Sequence, residues 1–392
     1  MEYQHLFSTA ARELRPSGIR RYFDLPAGSE DVINLGVGQP DQPLPAEARN
    51  AFRAALSQEN LPYTANAGLL SLRESIAGYL ERRFGLTYAA DGGLLATVGG
   101  SEAIDLALRA LVDPGDEVIV PQPSFVCYGP LTRLCGGREV PVTLTGADGY
   151  RLTAAQVRAA LTPRTKLLVL PYPSNPTGAV MTKESLEALA EALAGTEVLV
   201  LSDEVYAELT YDAPHVSPAS VPGLRDRTVV VGSASKCLAM TGARIGFAAG
   251  PGPIIAAMTR IHQYGIMSAP TAAQQAAAAA FADCDAEIDR MRRVYDRRRC
   301  LMLGGLACMG LPCHEPEGAF YLFPDITASG LDSQTFCSRL LAEARVAAIP
   351  GIAFGDAGEG HIRLCYAADE ARLKEALRRL ADFWRGVSSC AA

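Results

Sequence analysis

The 392-residue chain lacks the features that would place it in a membrane, outside the cell or on nucleic acid. Its first six residues lack the basic start and the apolar core of a signal peptide, and no apolar run reaches the length needed to span a bilayer. The net charge is −7, and no concentrated basic block could follow a phosphate backbone. We therefore expect a cytoplasmic protein that binds neither membranes nor nucleic acid.

The sequence also lacks patterns for metal binding, for a disulfide framework and for dinucleotide binding. The ten cysteines are scattered without a Cys-x-x-Cys pair, and the five histidines are dispersed without metal-ligand spacing. Such cysteines are typical of free thiols in a reducing compartment. Gly36-Val37-Gly38 could begin a dinucleotide-binding loop, but no third glycine follows and prolines interrupt the segment. We therefore predict no metal ion and no dinucleotide.

The length and the order of patterns predict an α/β fold with two domains. From residue 46 to 290, strand and helix patterns alternate, which predicts a large domain with a mainly parallel sheet sandwiched by helices. Residues 1–45 and 291–392 are predicted to form a smaller α+β domain that includes an amino-terminal arm. The most basic stretch, 290–299, alternates arginine with aspartate and is typical of a solvated helix face, so we assign it no function.

Polar side chains follow three apolar patterns that read as strands, at 167–170, 198–201 and 229–231. Asn175 follows the first, Asp203 and Tyr206 follow the second, and Lys236 follows the third. Because ligands bind beyond the carboxyl ends of strands in open parallel sheets, we expect these side chains to converge. A lysine at such a position can lose hydration, which lowers its pKa and makes it an amine nucleophile. The sequence therefore predicts Schiff-base chemistry at Lys236.

These segments resemble those of the fold-type I pyridoxal-phosphate enzymes, and within them the class I aminotransferases related to aspartate aminotransferase. The matching segments are Asn175-Pro176-x-Gly178, Asp203-x-x-Tyr206, Ser233-x-Ser235-Lys236, the Arg244 segment and Ile362-Arg363-Leu364. They occur in the family's order and span most of the chain. The resemblance implies pyridoxal 5'-phosphate as the cofactor.

The resemblance also implies a role for the residues around the cofactor ring. Lys236 would hold the cofactor as a Schiff base and then move a proton between the substrate and the cofactor. Asp203 would pair with the protonated pyridine nitrogen, because an anion there keeps the ring an effective electron sink. Asn175 and Tyr206 would hydrogen-bond the phenolic oxygen. Phe125 aligns with the aromatic residue that stacks on the ring, where many relatives carry tryptophan or tyrosine.

A second set of residues is expected to bind the cofactor phosphate. Backbone N–H groups at the start of the predicted helix 101–111 form an anion site, and the preceding glycines allow close approach. The resemblance places the phosphate at Gly100 and Ser101, with Ser233 and Arg244 as further ligands. Tyr63 matches a tyrosine that reaches the phosphate of the neighbouring subunit. If Tyr63 has the same role here, the chain forms a homodimer with shared active sites.

The remaining matches concern the substrate. Arg363 would hold the α-carboxylate through a two-pronged ion pair, since its strand neighbours are apolar and leave it on the opposite face. Asn175 lies beside this site in the family, and Gly38 matches a glycine whose backbone approaches the carboxylate. Ser101 stands where some aspartate-preferring relatives carry a lysine, which puts strict specificity for aspartate in doubt.

The resemblance implies an aminotransferase that moves an amino group from an L-amino acid to a 2-oxo acid with ping-pong kinetics. Relatives with the same motifs catalyse β-elimination, so a C–S lyase or another elimination enzyme stays an alternative. A ligand-sensing regulatory domain is a third interpretation, although the chain has no winged-helix pattern and is acidic. Products formed from amino acids and 2-oxoglutarate would distinguish the two enzymes.

Overall fold

The structure is a computed structural model that describes residues 3–19 and 31–388. Its strands are β1 (Ile33–Asn34), β2 (Leu94–Thr97), β3 (Glu117–Gln122), β4 (Arg138–Thr143), β5 (Thr165–Leu170), β6 (Leu199–Asp203), β7 (Thr228–Ser233), β8 (Gly246–Ala249), β9 (Tyr321–Leu322), β10 (Val346–Ala347), β11 (Ile349–Pro350) and β12 (Ile362–Cys365). Its α-helices are α1 (Thr9–Glu13), α2 (Ala46–Leu56), α3 (Leu70–Phe84), α4 (Gly100–Leu111), α5 (Tyr128–Leu134), α6 (Ala154–Ala160), α7 (Lys183–Ala192), α8 (Ala234–Cys237), α9 (Gly252–Gly265), α10 (Thr271–Asp283), α11 (Asp285–Cys308), α12 (Ser333–Ala344) and α13 (Glu370–Ser388). None of the helices in the described part of the chain combines the length and apolarity needed to cross a membrane.

A seven-stranded sheet lies at the centre of the described residues, with the order β2-β8-β7-β6-β5-β3-β4. Neighbouring strands are parallel except that β8 runs antiparallel to both β2 and β7. Leu95 and Val231 pack in one hydrophobic cluster with α4 and α9, whereas Leu94 and Val230 pack in another with α2, α3 and α10. Because adjacent strand residues point to opposite faces, helices cover both sides of the sheet. The predicted α/β sandwich is confirmed.

The α7–β6 unit shows how the sequence places one functional side chain. Thr182 accepts a hydrogen bond from a backbone N–H of the first turn and begins α7, as its N-cap pattern predicts. Leu186 and Leu189 are buried against the core. The chain turns at Gly195, whose φ of +75° is a conformation that glycine adopts without strain. Strand β6 follows and ends at Asp203, which is thereby delivered to the carboxyl edge of the sheet.

The residues outside the large sheet form two smaller sheets within the described ranges. Strands β11, β12 and β9 pair antiparallel in that order, and β1 pairs in parallel with β10. This content agrees with an α+β region, but the domain limits stay a prediction, since residue 290 lies inside the continuous helix α11. Residues 1–2, 20–30 and 389–392, which the prediction assigns to the small domain, lie outside the described residues.

The arginine-rich stretch 290–299 lies on α11, but the prediction of a solvated face is wrong for its carboxyl-terminal end. Arg298 and Arg299 are both buried. Arg298 donates hydrogen bonds of 2.8 and 2.9 Å to the two carboxylate oxygens of Asp41, and Arg299 forms ion pairs with three carboxylates. Alternating charges cannot distinguish an exposed face from one that is buried by partners distant in the sequence.

Candidate active site

A cavity of about 430 Å³ opens at the carboxyl ends of the parallel strands β5, β6 and β7. The sequence-predicted residues that line it are Gly38, Gly100, Ser101, Phe125, Asn175, Asp203, Tyr206, Ser233, Lys236, Arg244 and Arg363. Tyr63 lies outside this lining, and 80% of its surface is exposed. The structure thus brings together all the predicted site residues except the one that the resemblance assigns to a neighbouring subunit. Their chemical roles stay predictions.

Lys236 lies on the short helix α8, directly after β7, and its side chain lines the cavity. Its amine donates a hydrogen bond of 2.7 Å to the carbonyl oxygen of Gly38. The ring centroids of Tyr206 and Phe320 each lie 5.8 Å from the amine nitrogen. Burial lowers the pKa of Lys236 to about 8, and nearby arginine cations act in the same direction. More of this amine is therefore unprotonated near neutral pH than in an exposed lysine, which suits it to attack a carbonyl carbon.

Asp203, the last residue of β6, presents a buried carboxylate to the cavity. The Tyr128 hydroxyl donates to its Oδ2 at 2.6 Å, and the Val205 backbone N–H donates to its Oδ1 at 3.3 Å. Burial raises the pKa of Asp203 to about 6, although both hydrogen bonds oppose the rise. A buried anion with so little compensation favours a cationic partner. Phe125 lies nearby, with its ring centroid 6.4 Å from that of Tyr128.

Glycines shape another part of the cavity wall. Gly99 has a φ of +78° and precedes α4. A Cβ on Gly246 would lie 2.4 Å from the Gly99 carbonyl carbon, and a Cβ on Gly99 would lie 2.5 Å from an Arg244 guanidinium nitrogen. Glycine is therefore needed for this close packing. The first N–H groups of α4 at Gly100 and Ser101, the Ser101 hydroxyl and the Arg244 guanidinium together form a donor set that suits a phosphate.

Ser233 contributes a hydroxyl at the end of β7. Its Oγ lies 2.8 Å from the Ser235 Oγ and 3.0 Å from the Ile245 carbonyl oxygen, and it accepts the Ser235 backbone N–H at 3.1 Å. This network fixes the start of α8, the helix that carries Lys236. The predicted phosphate ligand is therefore part of the same local structure as the amine.

Arg363 lies on β12 and is only 2% exposed, yet its guanidinium lines the cavity. It donates to the Asn175 Oδ1 at 2.9 Å and to the Gly36 carbonyl oxygen at 2.5 Å. Its Nε is buried without a hydrogen-bond partner among the described residues. Ile362 and Leu364 pack into the core on the other face, as the strand pattern predicts. A guanidinium with free N–H groups can bind a carboxylate in two-pronged fashion.

Tyr321 of β9 contacts both Arg363 and Tyr206. Its hydroxyl oxygen lies 2.7 Å from that of Tyr206, and its ring centroid lies 4.4 Å from the Arg363 guanidinium carbon. A Cβ on Gly38 would lie 2.1 Å from the Tyr321 hydroxyl oxygen, so position 38 has no room for a side chain. This contact is a reason for glycine at position 38 that the sequence did not indicate.

Several residues that line the cavity belong to no predicted site. They are Ile19, Gln39, Ile104, Tyr128, Pro171, Pro173, Val205, Ser235, Thr241 and Tyr321. Ser235 lies within a matching segment, and Tyr128 follows Phe125 by three positions. Their closeness in sequence to predicted site residues could have indicated both. Tyr321 has no such signal, because it lies in an apolar run that is typical of a core strand.

The residues of the cavity fit pyridoxal phosphate, the cofactor that the resemblance implies. Gly246 packs against Gly99 so closely that a Cβ would clash, and Gly99 lies against the Arg244 guanidinium, so a phosphate would be held by the start of α4 and this guanidinium. The Asp203 carboxylate would hold the pyridine nitrogen, and the Lys236 amine would meet the aldehyde. A substrate carboxylate would supply the hydrogen-bond partner that the buried Arg363 Nε lacks among the described residues.

Comparisons with known proteins identify the family. Residues 30–380 match the family described as aminotransferase class I and II. A putative aminotransferase of Bacillus subtilis, YugH, is 48% identical over 376 residues, which cover 96% of this chain and 97% of that protein. An aspartate aminotransferase of Pyrococcus abyssi is 40% identical over 370 residues, which cover 94% of this chain and 95% of that protein.

Solved structures agree in fold as well as in sequence. The aspartate aminotransferase of Thermus thermophilus with maleate aligns with a TM-score of 0.90 and 38% identity, covering 96% of this chain and 99% of that chain. The N-succinyldiaminopimelate aminotransferase of Mycobacterium tuberculosis aligns with a TM-score of 0.91 and 33% identity, covering 96% of this chain and 99% of that chain. The chain therefore belongs to the class I and II aminotransferases and is a pyridoxal-phosphate-dependent transaminase, whose substrates are an amino acid and a 2-oxo acid.

Proposed function

We propose that Lys236 holds pyridoxal phosphate as a Schiff base and that the chain transfers amino groups from an L-amino acid to a 2-oxo acid in two half-reactions. The observation that carries this proposal is the position of the Lys236 amine, in a cavity whose walls present the Asp203 carboxylate and the buried Arg363 guanidinium. The lowered pKa of the amine supports a nucleophilic role.

The residues that line the cavity around Lys236 are proposed to bind the cofactor and to polarise its ring. Those proposed to hold the phosphate are Gly100, Ser101, Ser233 and Arg244. Phe125 would cover one face of the ring, and Asn175 and Tyr206 would donate to the phenolic oxygen. Once bound, the cofactor supplies an electron sink that stabilises negative charge at the substrate α-carbon. Asp203 supports this chemistry because its buried charge raises the pKa of the pyridine nitrogen and keeps that nitrogen protonated.

The substrate-side residues orient the amino acid. Arg363 binds the α-carboxylate, and its own plane is held by the Asn175 side chain and the Gly36 carbonyl. This contact brings the amino group and the α-carbon towards Lys236. The Lys236 amine would take the proton from the substrate α-carbon and return it on the cofactor side. The Gly38 carbonyl, which accepts a hydrogen bond from this amine, limits the directions in which the amine can point.

A panel of L-amino acids with 2-oxoglutarate tests the proposal. We expect one glutamate for each 2-oxo acid formed, and parallel double-reciprocal plots, because the amino group is stored on the enzyme between the half-reactions. Coupled assays for glutamate, ammonia and pyruvate measure the products. Ammonia and pyruvate in place of glutamate would support the elimination alternative, which the names of the relatives do not favour.

We also propose that two copies of the chain share their active sites. An exposed apolar patch, here called the Tyr63 patch, consists of Leu61, Tyr63, Tyr264, Ile266 and Met267. Two hydrogen bonds hold its two segments together, from the Thr271 hydroxyl to the Pro62 carbonyl at 2.7 Å and from the Asn66 amide to the Met267 carbonyl at 2.8 Å. Exposed apolar side chains on two joined segments support an interface between copies.

Tyr63→Ala should weaken cofactor affinity by about tenfold or more, because the phosphate loses one hydrogen bond from the partner subunit. Fluorescence titration of the cofactor-free variant measures the effect, and Tyr264→Phe on the same patch is the matched control. Co-expression of Tyr63→Ala with Lys236→Ala chains should restore activity at limiting cofactor, since mixed dimers contain one intact site. No restoration would contradict a shared site.

We propose the domain division 46–290 and 1–45 with 291–392, and it is supported by the separation of the large sheet from the smaller ones. We propose a cytoplasmic location, which the free cysteines between Cys127 and Cys365 support, because thiols persist in reducing compartments.

A further inference from the structure

We propose that Tyr321 is a positioning residue that couples the substrate-binding Arg363 to Tyr206, the proposed donor to the phenolic oxygen of the cofactor. The inference rests on the proposed function of the cavity. It goes beyond that function because it assigns a task to a residue that touches both ends of the site and that no motif singled out.

The first contact is between two hydroxyl groups. The Tyr321 and Tyr206 hydroxyl oxygens lie 2.7 Å apart, and both side chains are buried. Burial raises the pKa of both phenols, so both stay protonated at neutral pH. If Tyr206 donates its proton to the cofactor, Tyr321 must donate to Tyr206. A hydroxyl that accepts a hydrogen bond becomes a stronger donor, so Tyr321 strengthens the bond that Tyr206 makes.

The second contact is between a cation and a ring face. The Arg363 guanidinium carbon lies 4.4 Å from the Tyr321 ring centroid and 5.1 Å from that of Phe354. Two aromatic faces therefore fix the guanidinium, in addition to its hydrogen bonds to Asn175 and Gly36. The cation also draws electron density from the phenol ring, which makes the Tyr321 hydroxyl a better donor. A carboxylate bound to Arg363 would reduce this effect.

The position of Tyr321 is tightly constrained. Its strand β9 pairs with β12, where Tyr321 lies opposite Cys365, two residues from Arg363. On the other side, the backbone of Gly38 passes so close that a Cβ there would lie 2.1 Å from the Tyr321 hydroxyl oxygen. The same Gly38 accepts the hydrogen bond from Lys236. The hydroxyl therefore has little freedom to leave Tyr206.

Two substitutions separate the two contacts. Tyr321→Phe keeps the ring face and removes the hydroxyl. We expect KM to change less than about twofold. The pH midpoint of the cofactor's visible absorption band should rise by about half a unit, because Tyr206 becomes a weaker donor to the phenolic oxygen and competes less with the proton on the lysine-linked nitrogen. Tyr321→Leu removes the ring as well, and we expect it to raise KM for the amino acid about tenfold.

The matched control is Tyr366→Phe, which removes a buried hydroxyl that bonds to Tyr211 and to the Ala319 carbonyl outside the cavity lining. It should leave KM and the midpoint unchanged. An unshifted midpoint in Tyr321→Phe, or equal rises in KM in both Tyr321 variants, would overturn the inference. Should Tyr321→Leu fail to fold, Tyr321→Met makes the same comparison with a side chain of similar length. A wild-type protein without any visible band would instead refute the proposed function.

Discussion

Replacing Lys236 with alanine should lower the transaminase rate by about 10⁴-fold or more, since the variant loses both the covalent attachment of the cofactor and the amine that carries the proton. The rate is measured with the amino acid that reacts fastest in the panel. Borohydride reduction followed by peptide mass spectrometry should find the cofactor on Lys236 in the wild-type chain and on no residue in the variant.

Lys183→Ala is the matched control, because Lys183 is an exposed lysine on α7 outside the cavity lining. It should keep both the rate and the label.

The cofactor-free wild-type chain should capture pyridoxal phosphate faster as the pH rises through about 8, because the attacking amine must be unprotonated and its pKa is lowered to about 8. A label on another lysine, or full activity of Lys236→Ala, would refute the assignment.

The Asp203→Asn variant should lose about 10³-fold in kcat, because asparagine occupies the same space but leaves the pyridine nitrogen without a buried counter-charge. The half-reaction with an amino acid alone, followed by absorbance in a single turnover, isolates this effect from release of the 2-oxo acid product. Asp226→Asn, an exposed site outside the cavity lining, should leave the rate unchanged. A rate near that of the wild type would remove Asp203 from its proposed role.

The same substitution should stabilise the cofactor-free chain. Burial raises the pKa of Asp203 from 3.8 to about 6, so the folded wild-type chain holds this proton more tightly than the unfolded chain does. The destabilisation from the buried charge is therefore complete above pH 6 and is relieved as the pH falls from about 6 towards 4. Thermal unfolding should show Asp203→Asn more stable than the wild type by about 3 kcal/mol at pH 7.5, with a smaller advantage at pH 5. Equal stability of the wild type and the variant at both pH values would contradict a destabilising buried charge at Asp203.

Most of the large sheet could be predicted because its strands are apolar runs that end in polar residues. The runs before Asp203 and Lys236 are examples, since their burial is encoded in consecutive residues. The convergence of those ends follows from the geometry of parallel strands. The antiparallel direction of β8 was not predicted, because strand direction depends on how a connection crosses the sheet rather than on the composition of the strand.

The unpredicted parts of the site depend on contacts between distant segments. Tyr321 meets Tyr206 across 115 positions of the chain, and Arg298 meets Asp41 across 257. Neither contact leaves a periodic pattern around its residues. The family resemblance named Arg363 and Asn175 separately, but only the structure showed that they hydrogen-bond each other. Sequence patterns thus indicated which residues line the cavity better than how those residues support one another.

The connection from β7 to β8 starts and finishes at one facing pair, Ser233 and Gly246. Within this hairpin loop, Lys236 lies near the entry and Arg244 near the exit. The span from the amine to the guanidinium therefore depends on the length of one loop. In the proposed arrangement, a cofactor bonded to Lys236 and held by Arg244 would crosslink this loop, so an insertion or deletion between 236 and 244 would alter the distance that the loop permits between aldehyde and phosphate.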